Sequence, residues 1–164
     1  MFKSDEIVQH VKVIVFQIED EEYAIPVHQV GSIERIMHIT RVPKTAPFVE
    51  GVINLRGVVT PIIDLRKRFG LQGYEQDGST RIIIAAIDEM DVGLIVDGAN
   101  DVLDIKEGAI QAPPEIVGTI ETEYIDGIIN FGQRLLILLN LDKVLSRDEV
   151  RELHEFNGQT DGVS

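Results

Sequence analysis

The chain repeats itself, and the repeat limits the folds open to it. Phe48-Val-Glu-Gly-Val-Ile-Asn-Leu55 aligns with Tyr124-Ile-Asp-Gly-Ile-Ile-Asn-Phe131, setting Gly127 against Gly51 at an offset of 76 residues. The register runs on without a gap to Asp64-Leu65-Arg-Lys67 against Asn140-Leu141-Asp-Lys143. A second echo lies upstream at an offset of 69. There Ile18-Glu-Asp…Tyr23-Ala-Ile25 matches Ile87-Asp-Glu…Val92-Gly-Leu94, and Val30-x-x-Ile33 matches Ala99-x-x-Val102. Two copies of one strand order within 164 residues give lobes of about 60 residues, the size of small antiparallel barrels. A unit of that size buries little surface alone, so a core shared between the lobes is expected.

The first copy contains the clearest local signal. Gly51 to Asp64 reads as a strand, a tight turn at Asn54-Leu55-Arg56-Gly57 and a return strand Val58–Ile63. Gly57 can supply the positive φ such a turn needs. Pro61 lacks a ladder donor and argues for an edge or a bulge. Asp64 is a ready N-cap for the short turn Leu65-Arg66-Lys67-Arg68-Phe69, which Gly70 closes. Arg56 sits as a lone cation on a tip between uncharged strands, a position that implies something meets it. Arg56 faces Gly132 across the repeat, Gly57 faces Gln133 and Pro61 faces Ile137. If the common residues serve the fold, these differences are candidates for function, with drift as the alternative.

Elsewhere the pattern is mainly β. Val11–Ile18, Tyr23–Ile25, Ile33–Val42, Arg81–Ile87, Val92–Val96 and Val102–Ile105 read as extended, and a late hairpin, Gly127–Asn130 with Arg134–Leu141, turns through Phe131-Gly132. Pro26 suits the opening of a short helix that sets Val27 and Val30 on one side. Pro43–Pro47 is a loop, residues 72–80 are a polar linker, and 107–122 is irregular around Pro113-Pro114. Ser146-Arg-Asp-Glu149 is a capping box opening a helix over 147–156, with Val150, Leu153 and Phe156 on one face. Residues 1–9 form a loose arm, and 157–164 a disordered tail. The domain expected is 10–145, with lobes at about 10–66 and 80–145 and room for strand exchange between them.

A net charge of −13 argues against a nucleic-acid groove and against binding an anionic membrane surface. The absence of cysteine excludes disulfides and thiolate metal sites and fits a reducing cytosol. No apolar run reaches transmembrane length and Met1–Glu6 has no signal-peptide core, so a soluble, cytoplasmic protein is expected. There is no G-x-S-x-G, P-loop or G-x-G-x-x-G. His10, His28, His38 and His154 are scattered, and Glu6–His10 and Glu34–His38 have helical spacing in stretches that do not read as helix. Asp97-Gly-Ala-Asn-Asp101 lacks the spacing of a calcium loop and reads as a turn. No catalytic residue, metal ligand or cofactor is assigned. What remains is a binding module, in which Val30, Ile33 and Val102 are either plain core or anchors for a partner helix in a groove between barrels, with an arginine on its rim.

Residues Phe48 to Leu65 carry the pattern G-V-x-N-L-R-G-x-x-x-P-[IV]-[IV]-[DN]-L, supported in order by Asp20–Ile25, Val92–Asp97 and Leu135–Leu141. Over residues 10–145 the chain thereby resembles the CheW-like domains of chemotaxis coupling proteins. The resemblance implies two five-stranded Src-homology-3-like barrels around a shared hydrophobic core, with short helices and a C-terminal helix. It implies a non-enzymatic adaptor that links the cytoplasmic tip of methyl-accepting chemoreceptors to the regulatory domain of the histidine kinase CheA. Such an adaptor is cytoplasmic, joins membrane-associated arrays without inserting into the bilayer, and binds no nucleic acid. The positions matching the family's receptor surface are Val30, Ile33, Gly51, Arg56, Gly93, Ala99 and Val102, and Ser32 stands where relatives often carry an acid. The kinase's regulatory domain is similar to the adaptor and packs barrel to barrel, near Ile36, His38 and Val42, which would permit rings of alternating kinase and adaptor. The alternatives are a CheV-type or kinase-borne regulatory module, or a small-molecule-binding barrel with a closed cavity.

Overall fold

The computed structural model describes residues 9–71, 76–113 and 122–155. Among the described residues eleven strands run in chain order, β1 His10–Ile18, β2 Glu21–Pro26, β3 Val30–Arg35, β4 Val49–Leu55, β5 Val58–Asp64, β6 Arg81–Ile87, β7 Met90–Val96, β8 Gly98–Lys106, β9 Ile110–Gln111, β10 Ile125–Phe131 and β11 Arg134–Leu139. Three short helices, α1 Leu65–Arg68, α2 Leu141–Val144 and α3 Arg147–His154, complete them. One sheet has the order β8-β1-β2-β11-β10-β9 and the other β3-β6-β7-β5-β4.

These orders are the same order read twice. At the two offsets of the sequence repeat, β3 corresponds to β8, β6 to β1, β7 to β2, β5 to β11 and β4 to β10. Even β9, paired with β10 at Ile128–Gln111, has its counterpart in the single bridge Thr40–Val52 beside β4. The sheets do not coincide with the sequence halves about 10–66 and 80–145. The hairpin β1–β2 lies in the sheet of β8 to β11, and β6–β7 lies in the sheet of β3 to β5. Each half thus lends a hairpin to the other, which explains why neither could bury a core alone.

Strand alternation explains the core. In β1, Ile14, Phe16 and Ile18 point into the cluster shared between the sheets, whereas Val13 and Val15 point into a second cluster with Ala24, Ile129, Leu136 and Leu138. In β6, Ile83, Ala85 and Ile87 join the shared cluster, while Ile82 and Ile84 join a third with Ile53, Ile62 and Ile95. Both faces of these two strands are therefore buried, one inside its own barrel and one against the other barrel. The result is the expected pair of Src-homology-3-like barrels on a common core.

Several local expectations are adjusted. Strand β5 is internal, not an edge, but its parallel ladder with β7 begins only at Ile62, so Pro61 has β4 alone as its partner. The first hairpin turns on Arg56 and Gly57, with φ 50° and 89°, between the pair Leu55–Val58. The late hairpin turns one residue later than expected, on Gly132 and Gln133 between Phe131 and Arg134. Pro26 is extended and ends β2, and only a single 3₁₀ turn, Val27–Gln29, separates it from β3. Extended backbone after Arg35 is limited to the bridge at Thr40. Asp64 caps α1, Asn140 caps α2 at the equivalent position, and Ser146 with Glu149 forms the capping box of α3. Val150 and Leu153 are buried on the shared core. The N-terminal arm to residue 8, residues 72–75 of the linker, residues 114–121 of the stretch expected to be irregular, Phe156 and the tail lie outside the described residues. No helix among the described residues is long and apolar enough to cross a membrane.

Candidate functional site

Val30 and Ile33 are three apart, a spacing that in a regular strand would send them to opposite faces. A bulge prevents this. The register of β3 against β6 slips between Val30 and Ser32, so that Val30 faces Ala85 and Ile33 faces Ile83, both residues of the shared core. Strand β8 makes the same bulge against β1, and sets Ala99 opposite Phe16 and Val102 opposite Ile14. Directly opposed residues of an antiparallel pair share a face, so all four side chains lie on the shared-core side of the two edge strands. Val30 and Ala99 are half-buried and pack on that core, whereas Ile33 is 41% and Val102 62% exposed. The bulges thus turn two x-x-spaced pairs into matching apolar rims.

Arg56 is not the lone cation that its sequence context implied. Its Nη2 donates to Glu34 Oε2 at 3.2 Å, across the seam where the sheet rolls the β4–β5 turn toward edge strand β3. The turn itself is fixed because Asn54 Oδ1 accepts from the Gly57 N–H at 2.7 Å. The Ser32 hydroxyl, helped by the Arg56 guanidinium, holds the Glu34 carboxyl below the usual carboxylate range, against the opposing effect of burial.

Gly51 and Gly93 are elsewhere, and neither presents a surface. Gly51 has φ 144°, and a Cβ there would strike the Thr40 carbonyl of the crossing segment. Gly127 meets Gln111 in the same way, so this glycine belongs to the repeat. Gly93 is buried inside its barrel, where a Cβ would collide with Ile62 Cδ1 and lie 2.8 Å from Ile82 Cγ2. In the other barrel the equivalent residues are Ala24 and Val13, a larger residue beside a smaller one. Of the kinase-side positions, Ile36 packs partly on the barrel cluster with Met37 and Ile39, His38 is exposed, and Val42 lines a surface pocket with Arg41, Lys44, Val49 and Glu50. All three lie on the segment that wraps from β3 to β4.

Two charge networks escaped the sequence reading. Arg66 is only 2% exposed, with Asp64 at 3.6 Å and Asp97 at 3.3 Å. Asp97, placed at the crossover from β7 to β8, also accepts from the Glu19 N–H at 2.6 Å, so the network joins α1 to the β1–β2 turn of the other sheet. Burial raises the Asp64 carboxyl above its usual value, and Arg66 opposes that rise. Arg134 on β11 grips Glu22 with two bonds, 3.1 and 2.8 Å, and Asp101 of edge strand β8 with a third at 3.0 Å. The signal available was the repeat, which sets Arg66 against Asp142 and Arg134 against Val58.

The comparisons with known proteins agree with this geometry. The family model for the CheW-like domain matches residues 12–149. Chemotaxis protein CheW of Bacillus subtilis (strain 168) is 48% identical over 137 residues, covering 84% of this chain and 88% of that protein. Chemotaxis protein CheW of Klebsiella aerogenes is 40% identical over 137 residues, covering 84% of this chain and 82% of that protein. The crystal structure of scaffolding protein TtCheW from Thermoanaerobacter tengcongensis superposes with a TM-score of 0.79 at 35% identity, covering 86% of this chain and 91% of that one. This chain belongs to the CheW-like domain family, and it is a chemotaxis adaptor, not an enzyme.

Proposed function

We propose that this adaptor couples the cytoplasmic tip of methyl-accepting chemoreceptors to the regulatory domain of the histidine kinase CheA, in the cytoplasm at membrane-associated arrays. The receptor's helical hairpin lies along Val30, Ile33, Ala99 and Val102, with Arg56 at the rim. The observation that carries the reading is the pair of matched bulges, which brings these four apolar residues to one side of two edge strands. An amphipathic helix needs such a row of anchors, and a charge-assisted bond from a rim arginine would fix its register. Gly51 and Gly93 serve this surface through packing, since their missing side chains face backbone and barrel core. The kinase's regulatory domain docks on the segment with Ile36, His38 and Val42, and two barrel ends of this kind allow rings of alternating kinase and adaptor.

Coupling of this sort needs no chemistry. It needs contacts whose free energy differs between receptor signalling states, and a difference of about 1–3 kcal/mol shifts an equilibrium about five- to 150-fold. The test is calorimetry of the protein with a soluble receptor tip and with a CheA regulatory domain, repeated with Arg56→Ala. Loss of about 1.5–3 kcal/mol in receptor affinity with kinase affinity unchanged supports the reading. Equal receptor affinity for the two proteins would remove Arg56 from the contact.

A further inference from the structure

The bulge in β8 lies in the middle of an edge strand. Asn100 is the inserted residue, because Ala99 faces Phe16 while Asp101 faces Val15. Without the insertion β8 would return to plain alternation, and Ala99 and Val102, three apart, would lie on opposite faces. Among the described residues β8 has ladder bonds to β1 alone, and a bulge interrupts some of these locally. The bulged register therefore calls for an anchor outside the ladder.

Arg134 supplies one from within the barrel. Asp101 is the first residue after the insertion, and it shares the barrel-side face with its opposite, Val15, a residue of the barrel cluster. Its carboxylate accepts from Arg134 Nη2 at 3.0 Å. In the order β8-β1-β2-β11 two strands stand between these residues, so the bond crosses the barrel instead of following the ladder. Arg134 is itself oriented. Its Nε and Nη2 donate to the two carboxylate oxygens of Glu22 on β2 at 3.1 and 2.8 Å, a fork that a guanidinium can make and an ammonium cannot. The Arg134 and Glu22 side chains are 35% and 24% exposed, so water screens the network only in part. Val102, the residue after Asp101, points the other way, to the shared-core side. The other barrel has no such tie, since Asp91, Ser32 and Val58 stand at the places of Glu22, Asp101 and Arg134, and the residue inserted in β3 is Gly31.

We propose that Arg134 is a positioning residue for the receptor contact. By holding Asp101 toward the barrel it keeps the β8 bulge in register, and with it Ala99 and Val102 in one row. This inference rests on the receptor reading of those two residues given above.

The experiment compares the parent with Arg134→Gln, Asp101→Asn and both, using two readouts. The first is amide hydrogen exchange of the free protein followed by NMR, which reads the strand with no receptor present. In Arg134→Gln the protected amides of β8 are expected to exchange about two- to fivefold faster, the range of an exposed ion pair, while those of β6 and β7 in the other barrel keep their parent rates. The second is calorimetry with a soluble receptor tip and with a CheA regulatory domain. Each single variant is expected to weaken receptor binding about two- to fivefold, the two together no more than either alone, with kinase binding unchanged. Unchanged β8 exchange in Arg134→Gln would overturn the proposal whatever the receptor does. Exchange quickened alike in both barrels would also overturn it, since Arg134 would then stabilise the whole fold and not the bulge. An equal loss of receptor affinity from Asp101→Asn in the parent and in Arg134→Gln would do the same, because Asp101 would be acting without the arginine. Val102→Asp separates the two readings. If that variant binds the tip as the parent does, the receptor reading has failed, and the exchange data still decide whether Arg134 holds the bulge. If it loses the tip while Arg134→Gln keeps full affinity, the positioning role is refuted.

Discussion

Gly93 offers a sharp test of how this surface is supported. An added methyl at position 93 would run into Ile62 Cδ1 and stand 2.8 Å from Ile82 Cγ2 inside a barrel where Ile53, Ile62, Ile82, Ile84 and Ile95 are all buried. Overfilling a packed interior in this way costs about 1–3 kcal/mol. At about 2–4 °C per kcal/mol for a chain of this size, Gly93→Ala should lower Tm by roughly 2–12 °C. The nearest obstruction is the terminal methyl of Ile62, which Ile62→Val removes at its own cost of about 0.5–1.5 kcal/mol. In the double variant the new methyl enters the space left by the old one. The loss should therefore be smaller than the sum of the singles by at least about 1 kcal/mol, a coupling of the size contacting residues show. Denaturant unfolding of the four proteins measures this, and receptor-tip binding should recover in the double variant along with stability. Additive losses would refute the packing account. So would a stable Gly93→Ala protein that has lost receptor binding, since the glycine would then be acting at the surface.

Ile33→Asp and Val102→Asp act on exposed side chains, so thermal unfolding should change little while receptor-tip affinity falls about tenfold or more in each, as read by calorimetry. Asp64→Asn tests the buried network. The replacement keeps an N-cap, as Asn140 does in the second copy, but removes a charge beside Arg66. Because burial raises the folded-state Asp64 carboxyl above its usual 3.8, that group favours the fold at low pH and loses its contribution as pH climbs through the raised value. Unfolding free energy measured across pH 3–7 should lack this decline in Asp64→Asn. Glu34 has the opposite sign, since its lowered carboxyl stabilises the fold above the usual range and loses that stabilisation as pH falls through the lowered value.

The repeat carried much of the fold. Gly51 with Gly127, Asp64 with Asn140, and Leu55 with Phe131 take equivalent places in strand, cap and turn, because each is dictated by local geometry that both copies need. The sequence left room for strand exchange but could not say which hairpins move, since the similar turn residues at Glu19-Asp20 and Asp88-Glu89 serve a hairpin whichever sheet receives it. The bulges were also hidden. Val30-x-x-Ile33 and Ala99-x-x-Val102 stood out as an echo, yet only pairing with β6 and β1 shows that a slipped register puts each pair on one face. The resemblance named Gly51 and Gly93 with the exposed residues, but their contacts belong to backbone and barrel core. Long-range charge pairs were least legible, because nothing near Arg56 in sequence points to Glu34, and nothing near Arg134 to Glu22 or Asp101.

The central claim is that one face, built from two bulged edge strands and a rim arginine, receives the receptor. Titrating a soluble receptor tip into the isotope-labelled protein and following backbone and methyl resonances tests this most directly. The account predicts that signals of Val30, Ile33, Ala99, Val102 and the Arg56 turn shift together and saturate at one stoichiometry, while those of Ile36, His38 and Val42 stay in place until a kinase regulatory domain is added. Shifts confined to the segment 36–42, or to the exposed Leu135 on β11, with β3 and β8 unmoved, would contradict it.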